Sequence, residues 1–245
     1  MLSALRSLLL LVALASSAFA EEAQTAISTK QVENLSHQVN SGISAAIRFM
    51  RISLKPRLDG KIVLIDAGHG GQDAGACRLG IREKDITLRL AKQLKQVFEE
   101  RGATVYLTRH TDKDLELEQI CQIVDKIKPH VFLSLHVNSS PGQETKVSGL
   151  QTFFRTDHSR MLAHTVHSSV VGRGICEDRR VFSGHLWVLR SPTVPSLLIE
   201  SGYINCRFDR KRLLDSRYRL KLCDGIADGV TLYWQKKGFL RKKRP

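Results

Sequence analysis

The sequence predicts an α/β layered fold in a single domain, with a largely parallel sheet. Two observations predict it. From Lys61 onward, short β-branched or apolar runs alternate with longer segments whose apolar residues recur three or four apart. Strands alternating with helices in this way form layers, with helices packed on a sheet. The composition agrees: 42% of the 245 residues are hydrophobic and 25% charged, which excludes a disordered or collagen-like chain.

The elements follow in order. Residues 1–20 are read as a secretory signal peptide. Arg6 supplies a weakly basic start, Leu8 to Ala15 are almost wholly apolar, and Ala18-Phe19-Ala20 fits the small-x-small cleavage rule. No cysteine stands there to accept a lipid, and no twin-arginine pair occurs. Residues 21–57 form an N-terminal helical extension, with Val32, Leu35, Val39, Ile43, Ile47 and Met50 at helical spacing from about Gln31 to Met50. Pro56 and Gly60 break that pattern.

The catalytic-domain candidate spans residues 58–235. Lys61 to Ile65 is the first strand, followed by a glycine-rich loop from Asp66 to Gly75. Asp85 to Arg101 is helical, with Ile86, Leu90, Leu94 and Val97 on one side and Gly102 as its stop. Strands are expected at Thr104–Thr108, Val131–Leu135, Leu150–Phe154, Leu186–Leu189 and Ser196–Ile199. Helices are expected at Leu115–Lys128, Ser159–Val171 and Asp209–Trp234. Residues 236–245 are a basic tail with six cations and no acid, expected to be solvated and disordered, or to contact an anionic surface.

Four residues carry the chemistry. His69 follows the first strand, Glu83 opens the next helix, His136 ends the strand from Val131, and Glu200 ends the strand from Ser196. Ligand sites of open α/β sheets gather beyond the carboxyl ends of strands. Two imidazoles and one carboxylate make a catalytic zinc set with a fourth position left for water, and the remaining glutamate is free to act as a base. Gly68, Gly70, Gly71 and Gly75 in one loop indicate left-handed backbone or a close approach to a ligand.

The five cysteines, Cys77, Cys121, Cys176, Cys206 and Cys223, leave at least one unpaired, and no C-x-x-C pair occurs. The net charge of +14 raises nucleic-acid binding, which the export signal and the lack of interleaved aromatics near the tail speak against. No serine has a lysine three positions later, which argues against a penicillin-binding type of acyl enzyme. No stretch of 18 apolar residues occurs.

The motifs resemble those of the zinc-dependent N-acetylmuramoyl-L-alanine amidases of the amidase-3 type. The segment Ile65 to Ala76 resembles the family's opening motif. Glu83-Lys84-Asp85, Thr108-Arg109 with Asp112, Phe132 to Ser139, Val188 to Arg190, and Pro195 to Asn205 are similar to the later blocks in order. The resemblance runs from about Lys61 to Trp234. It implies a mixed, largely parallel sheet of about six strands flanked by helices. It also implies one zinc ion on His69, Glu83 and His136, and Glu200 as the catalytic glutamate. The implied activity is hydrolysis of the amide between N-acetylmuramic acid and L-alanine in bacterial peptidoglycan, in wall remodelling or cell separation. The expected location is outside the cytoplasm, in the periplasm or the cell wall.

Departures from the family are Tyr203 and Ile204, where Phe and Ser are common, and Cys77, which puts a thiol near the metal loop. Exported relatives acting in cell division often carry a helical insertion that blocks the zinc until an activator protein arrives. Only Asp157 to Arg180 separate Phe154 from Val181, too few for a packing helix and a blocking helix, so an open site is expected; an activator protein is possible but not required by the sequence. Residues 21–57 are too few for a wall-targeting β-sandwich. Arg190 and Arg180 are candidates for binding substrate carboxylates. A zinc peptidase with the same ligands and a non-catalytic peptidoglycan-binding protein are the alternatives.

Overall fold

A computed structural model describes residues 34–43, 56–191 and 193–242. Residues 1–55 and 56–245 are two separate units. In the first, residues 34–43 form helix α1, on which Leu35, Val39 and Ile43 are exposed. The rest of the expected helix and the signal peptide lie outside the described residues.

The second unit is built on a six-stranded sheet in the order β4-β1-β5-β8-β6-β7. These strands are β1 (Ile62–Ala67), β4 (Thr104–Leu107), β5 (Val131–Asn138), β6 (Leu150–Phe154), β7 (Asp178–Ser183) and β8 (Ser196–Tyr203). A two-residue hairpin, β2 (Cys77–Arg78) and β3 (Ile81–Arg82), stands apart. Pairing is parallel from β4 through β1 and β5 to β8, antiparallel between β8 and β6, and parallel again between β6 and β7. The sheet is therefore mixed and largely parallel, as expected.

Helices cover both faces. The helices are α2 (Glu83–Glu100), α3 (Leu117–Ile127), α4 (Asp157–Val171), α5 (Arg207–Leu214) and α6 (Ser216–Lys242). On one face Val63, Ile65, Leu133, Leu135, Leu197 and Ile199 pack against Leu90, Leu94, Leu162, Val166, Ile226 and Val230. On the other face Leu64, Phe132 and Leu198 pack against Ile120 and Val124 of α3 and against Val188 and Leu189. The central strands β1, β5 and β8 are buried on both faces, which is why they read as unbroken apolar runs. Truncating a fully buried leucine such as Leu133 would cost about 2–5 kcal/mol.

Three expectations need correction. Trp187–Leu189 forms a 3₁₀ turn instead of a strand. Val188 and Leu189 are adjacent and both enter the second core, a pattern that a strand's alternation would split between two faces. Strand β7 was not expected, because this edge strand is half charged and largely exposed. The long last helix breaks at Asp215, which is extended and accepts the N–H groups of Arg217 and Tyr218, capping α6. Helix α6 runs to Lys242, past the start of the basic tail at residue 236, and Lys236 and Lys237 are exposed.

Candidate active site

Strands β1, β5 and β8 end side by side, and their ends carry the site. Past β1 the chain turns through His69 at φ 63°, Gly70 at 147° and Gly71 at 54°. Gly75 follows at φ 63°, where a Cβ would stand 2.6 Å from His69 Cδ2 and 2.7 Å from Glu83 Oε2. The left-handed backbone is what aims the His69 ring back at α2, and only glycine leaves room for it.

Glu83 is the first residue of α2 and is buried. Its Oε2 accepts the Ala76 N–H at 2.9 Å and lies 3.2 Å from His69 Nε2. Its Oε1 accepts the Val137 N–H at 2.8 Å and lies 3.1 Å from His136 Nδ1. His69, Glu83 and His136 each offer one ligand atom, all within 4.8 Å of one another. The structure thus brings together three of the four expected site residues as a group that can hold a metal ion. The two imidazoles hold the Glu83 carboxyl far below its ordinary range against the cost of burial. In return, hydrogen bonding to Glu83 pushes His69 up to about 9 and His136 is raised as well, though burial opposes both. A metal cation would take the place of these protons.

The fourth residue, Glu200, pairs in register with His136 across β8 and β5. Its Oε2 is buried and has no hydrogen-bond partner among the described residues. Burial pushes this carboxyl up to about 7, with Glu83 adding to the rise and the two histidines opposing it. It is an ionisable oxygen beside the ligand group that no described residue satisfies.

A surrounding set of side chains fixes the loop, and only part of it was marked in the sequence, without roles. Asp73 Oδ2 meets His69 Nδ1 at 2.6 Å and its Oδ1 accepts the Gly75 N–H, so it sets the orientation of the imidazole. Lys84 donates to the Gly71 carbonyl and to Asp112, which accepts the Gly71 N–H. Buried Arg109 donates to the carbonyls of Ala67, Gly68 and Lys84. Asp66, also buried, accepts from Thr108 and Ser134. The acid four residues after a histidine was the available signal for Asp73.

Cys77 is not part of the metal-binding group. Its thiol turns to the Gly75 carbonyl at 3.6 Å and is exposed. All five thiols are free, with Cys121, Cys206 and Cys223 buried as small core residues. Between Phe154 and Val181 stand one helix, α4, and a short turn, so no second helix covers the site among the described residues. The side chains of His69 and His136 remain 24% and 19% exposed, and the site opens to solvent. Arg190 is engaged by Glu118 at 3.0 Å and lies over the Trp187 ring.

A family model described as N-acetylmuramoyl-L-alanine amidase matches residues 63–232, the stretch that holds the whole site. The chain belongs to the N-acetylmuramoyl-L-alanine amidase family. Among its relatives, the uncharacterized protein YqiI of Bacillus subtilis (strain 168) is 34% identical over 181 residues, 72% of this chain and 86% of YqiI. The probable cell wall amidase LytH of Staphylococcus aureus is 33% identical over 183 residues, covering 74% of this chain and 60% of LytH. The crystal structure of an N-acetylmuramoyl-L-alanine amidase from Clostridium difficile 630 superposes with a TM-score of 0.70 at 30% identity. That match covers 74% of this chain and 100% of that one. The chain is therefore an amide-bond hydrolase of this family, and its fold is the family's fold.

Proposed function

We propose that this chain is a zinc-dependent N-acetylmuramoyl-L-alanine amidase that releases stem peptides from peptidoglycan. The observation that carries the reading is the convergence of His69, Glu83 and His136, with the unpartnered Glu200 Oε2 on the neighbouring strand. Two imidazole nitrogens and a carboxylate oxygen fit zinc, and the glycine at position 75 keeps the space between His69 and Glu83 open. The same donor set suits a catalytic site, since three protein ligands leave a coordination position free.

Zinc, when bound by these three residues, supplies a Lewis acid that polarises a carbonyl and lowers the pKa of water. The chain's own groups do the rest. Glu200 Oε2 accepts a proton from the attacking water and delivers it to the departing alanine nitrogen. A carboxyl poised at about 7 suits both steps, because it gains and loses a proton near neutrality. Asp73 keeps the His69 ring in place by holding its Nδ1 side. The products are a muramic acid carboxylate and a stem peptide with a free L-alanine amine.

Residues 1–20 support export, so the enzyme acts on the wall from the periplasm or outside, in remodelling or cell separation. The uncovered site supports activity without an activator protein. The test is incubation of muropeptides with the protein loaded with zinc, stripped by a chelator, or carrying Glu200→Gln. Free stem peptide in the first sample alone supports the reading. Release that survives the chelator contradicts it.

A further inference from the structure

Among the described residues, one arginine on the strand next but one to Glu200 makes no ion pair. Along the face of the sheet that carries Glu200, register partners line up as His136 on β5, Glu200 on β8 and Gln151 on β6. Gln151 is held in place by the Asn138 side-chain amide, which donates to its Oε1 at 3.0 Å. The row continues onto β7 at a bulge. Leu150 pairs with Asp178 and Thr152 with Val181, so two residues, Arg179 and Arg180, stand opposite Gln151 alone. Arg179 is spent on the Ser148 carbonyl.

Arg180 is different. It sits at φ 71°, a left-handed conformation that a side chain with a Cβ disfavours and that persists where the surroundings enforce it. What enforces it is a chain of hydrogen bonds. Thr152 Oγ1 meets buried His167 Nδ1 at 3.0 Å, His167 Nε2 meets Asp178 Oδ1 at 2.9 Å, and that carboxylate accepts the Arg180 N–H at 2.7 Å. Arg180 is exposed, and no carboxylate lies within ion-pair distance of its guanidinium among the described residues. By strand alternation it shares a face with Phe182, which stacks on Phe153 one row below Gln151.

We propose that Arg180, with Gln151 beside it, forms a carboxylate subsite that reads the acidic second residue of the stem peptide. This rests on the amidase reading above. Glu200 and the bulge are two interstrand spacings apart, about 10 Å. An extended peptide advances about 3.4 Å per residue, so a carboxylate on the residue after L-alanine lies about 7 Å beyond the scissile amide. A hydrogen bond of about 2.8 Å closes the remainder, and the guanidinium fork matches a carboxylate bidentately. Arg190, the other arginine expected to bind a substrate carboxylate, is ion-paired with Glu118.

The test uses two muramoyl tripeptides that differ only at the α-carboxyl of the second residue, free in one and amidated in the other. The zinc-loaded protein is expected to favour the free acid at least tenfold in kcat/KM. Arg180→Gly suits the left-handed backbone, so it should keep the fold, erase that preference through KM, and leave the amidated substrate within twofold. Arg180→Lys should restore part of it. Equal losses on both substrates, or no preference in the parent protein, would overturn the subsite. Calorimetry of both tripeptides on Glu200→Gln separates the two readings. Selective binding without any cleavage by the parent protein keeps the subsite and overturns the amidase. Equal binding without cleavage overturns both.

Discussion

His136 and Glu200 are register partners on the adjacent parallel strands β5 and β8, which sets an imidazole and a carboxyl side by side on one face of the sheet. The cation-forming ring should ionise its neighbour, yet Glu200 is held up at about 7 because burial outweighs that attraction. The imbalance has a consequence for stability. An acid whose pKa rises on folding binds more protons folded than unfolded. Its contribution is thus fully present below about 4.5 and is lost as pH climbs through about 7. Chemical denaturation of the metal-free protein should show Glu200→Gln more stable than the parent by about 2–3 kcal/mol at pH 8. The advantage should vanish near pH 4. An advantage independent of pH would contradict the burial argument.

The same substitution should slow turnover by about 10² to 10⁴, the usual worth of a general acid–base group. Steady-state kinetics on muropeptides, with zinc content matched between the two proteins, measures it. A loss of less than tenfold would remove Glu200 from the proton-transfer role.

Metal binding should appear as stabilisation. At a hundredfold excess over Kd, a bound ion adds about 2.7 kcal/mol, worth several degrees in Tm. Zinc should therefore raise the Tm of the parent protein and leave His136→Ala unmoved, with one zinc per chain in the former by elemental analysis. An equal rise in both would place the ion elsewhere.

Gly75→Ala should damage the site without unfolding the sheet. The added methyl group meets His69 Cδ2 at 2.6 Å at a backbone φ of 63°, so the ring must leave its place beside Glu83. Zinc affinity should fall sharply while the far-ultraviolet circular dichroism stays native. Wild-type affinity in this variant would show that the ring has room the structure does not give it.

Asp73→Ala removes the group that holds His69 Nδ1. Such outer partners are typically worth 10- to 100-fold in metal affinity. Competition with a chelating dye should show a loss in that range, smaller than the loss from His69→Ala. An effect equal to that of His69→Ala would make Asp73 itself a ligand.

The site was legible in the sequence to the extent that strand ends are legible. His69, His136 and Glu200 each follow an apolar run read as a buried strand, and the runs converge because parallel strands share their carboxyl ends. Glu83 joined them because it closes the loop after the first strand, and the motif resemblance implied its role as a ligand. What stayed hidden was held by tertiary contact. Asp73, Lys84 and Arg109 bond to backbone carbonyls and amides brought near only by the folded loop. Strand β7 carried no alternation because it is an edge strand with a bulge, and its Arg180 gained meaning only from pairing opposite Gln151. The break at Asp215 was written as a capping residue within an otherwise continuous helical pattern.

Hydrolysis in ¹⁸O-labelled water distinguishes cleavage of the bond between muramic acid and L-alanine from cleavage within the stem peptide. Mass spectrometry of the products should find one labelled oxygen in the muramic acid carboxylate and an unlabelled stem peptide with a free alanine amine. Label in a peptide carboxylate, with the muramoyl–alanine bond intact, would contradict the amidase activity and make the same ligands those of a peptidase.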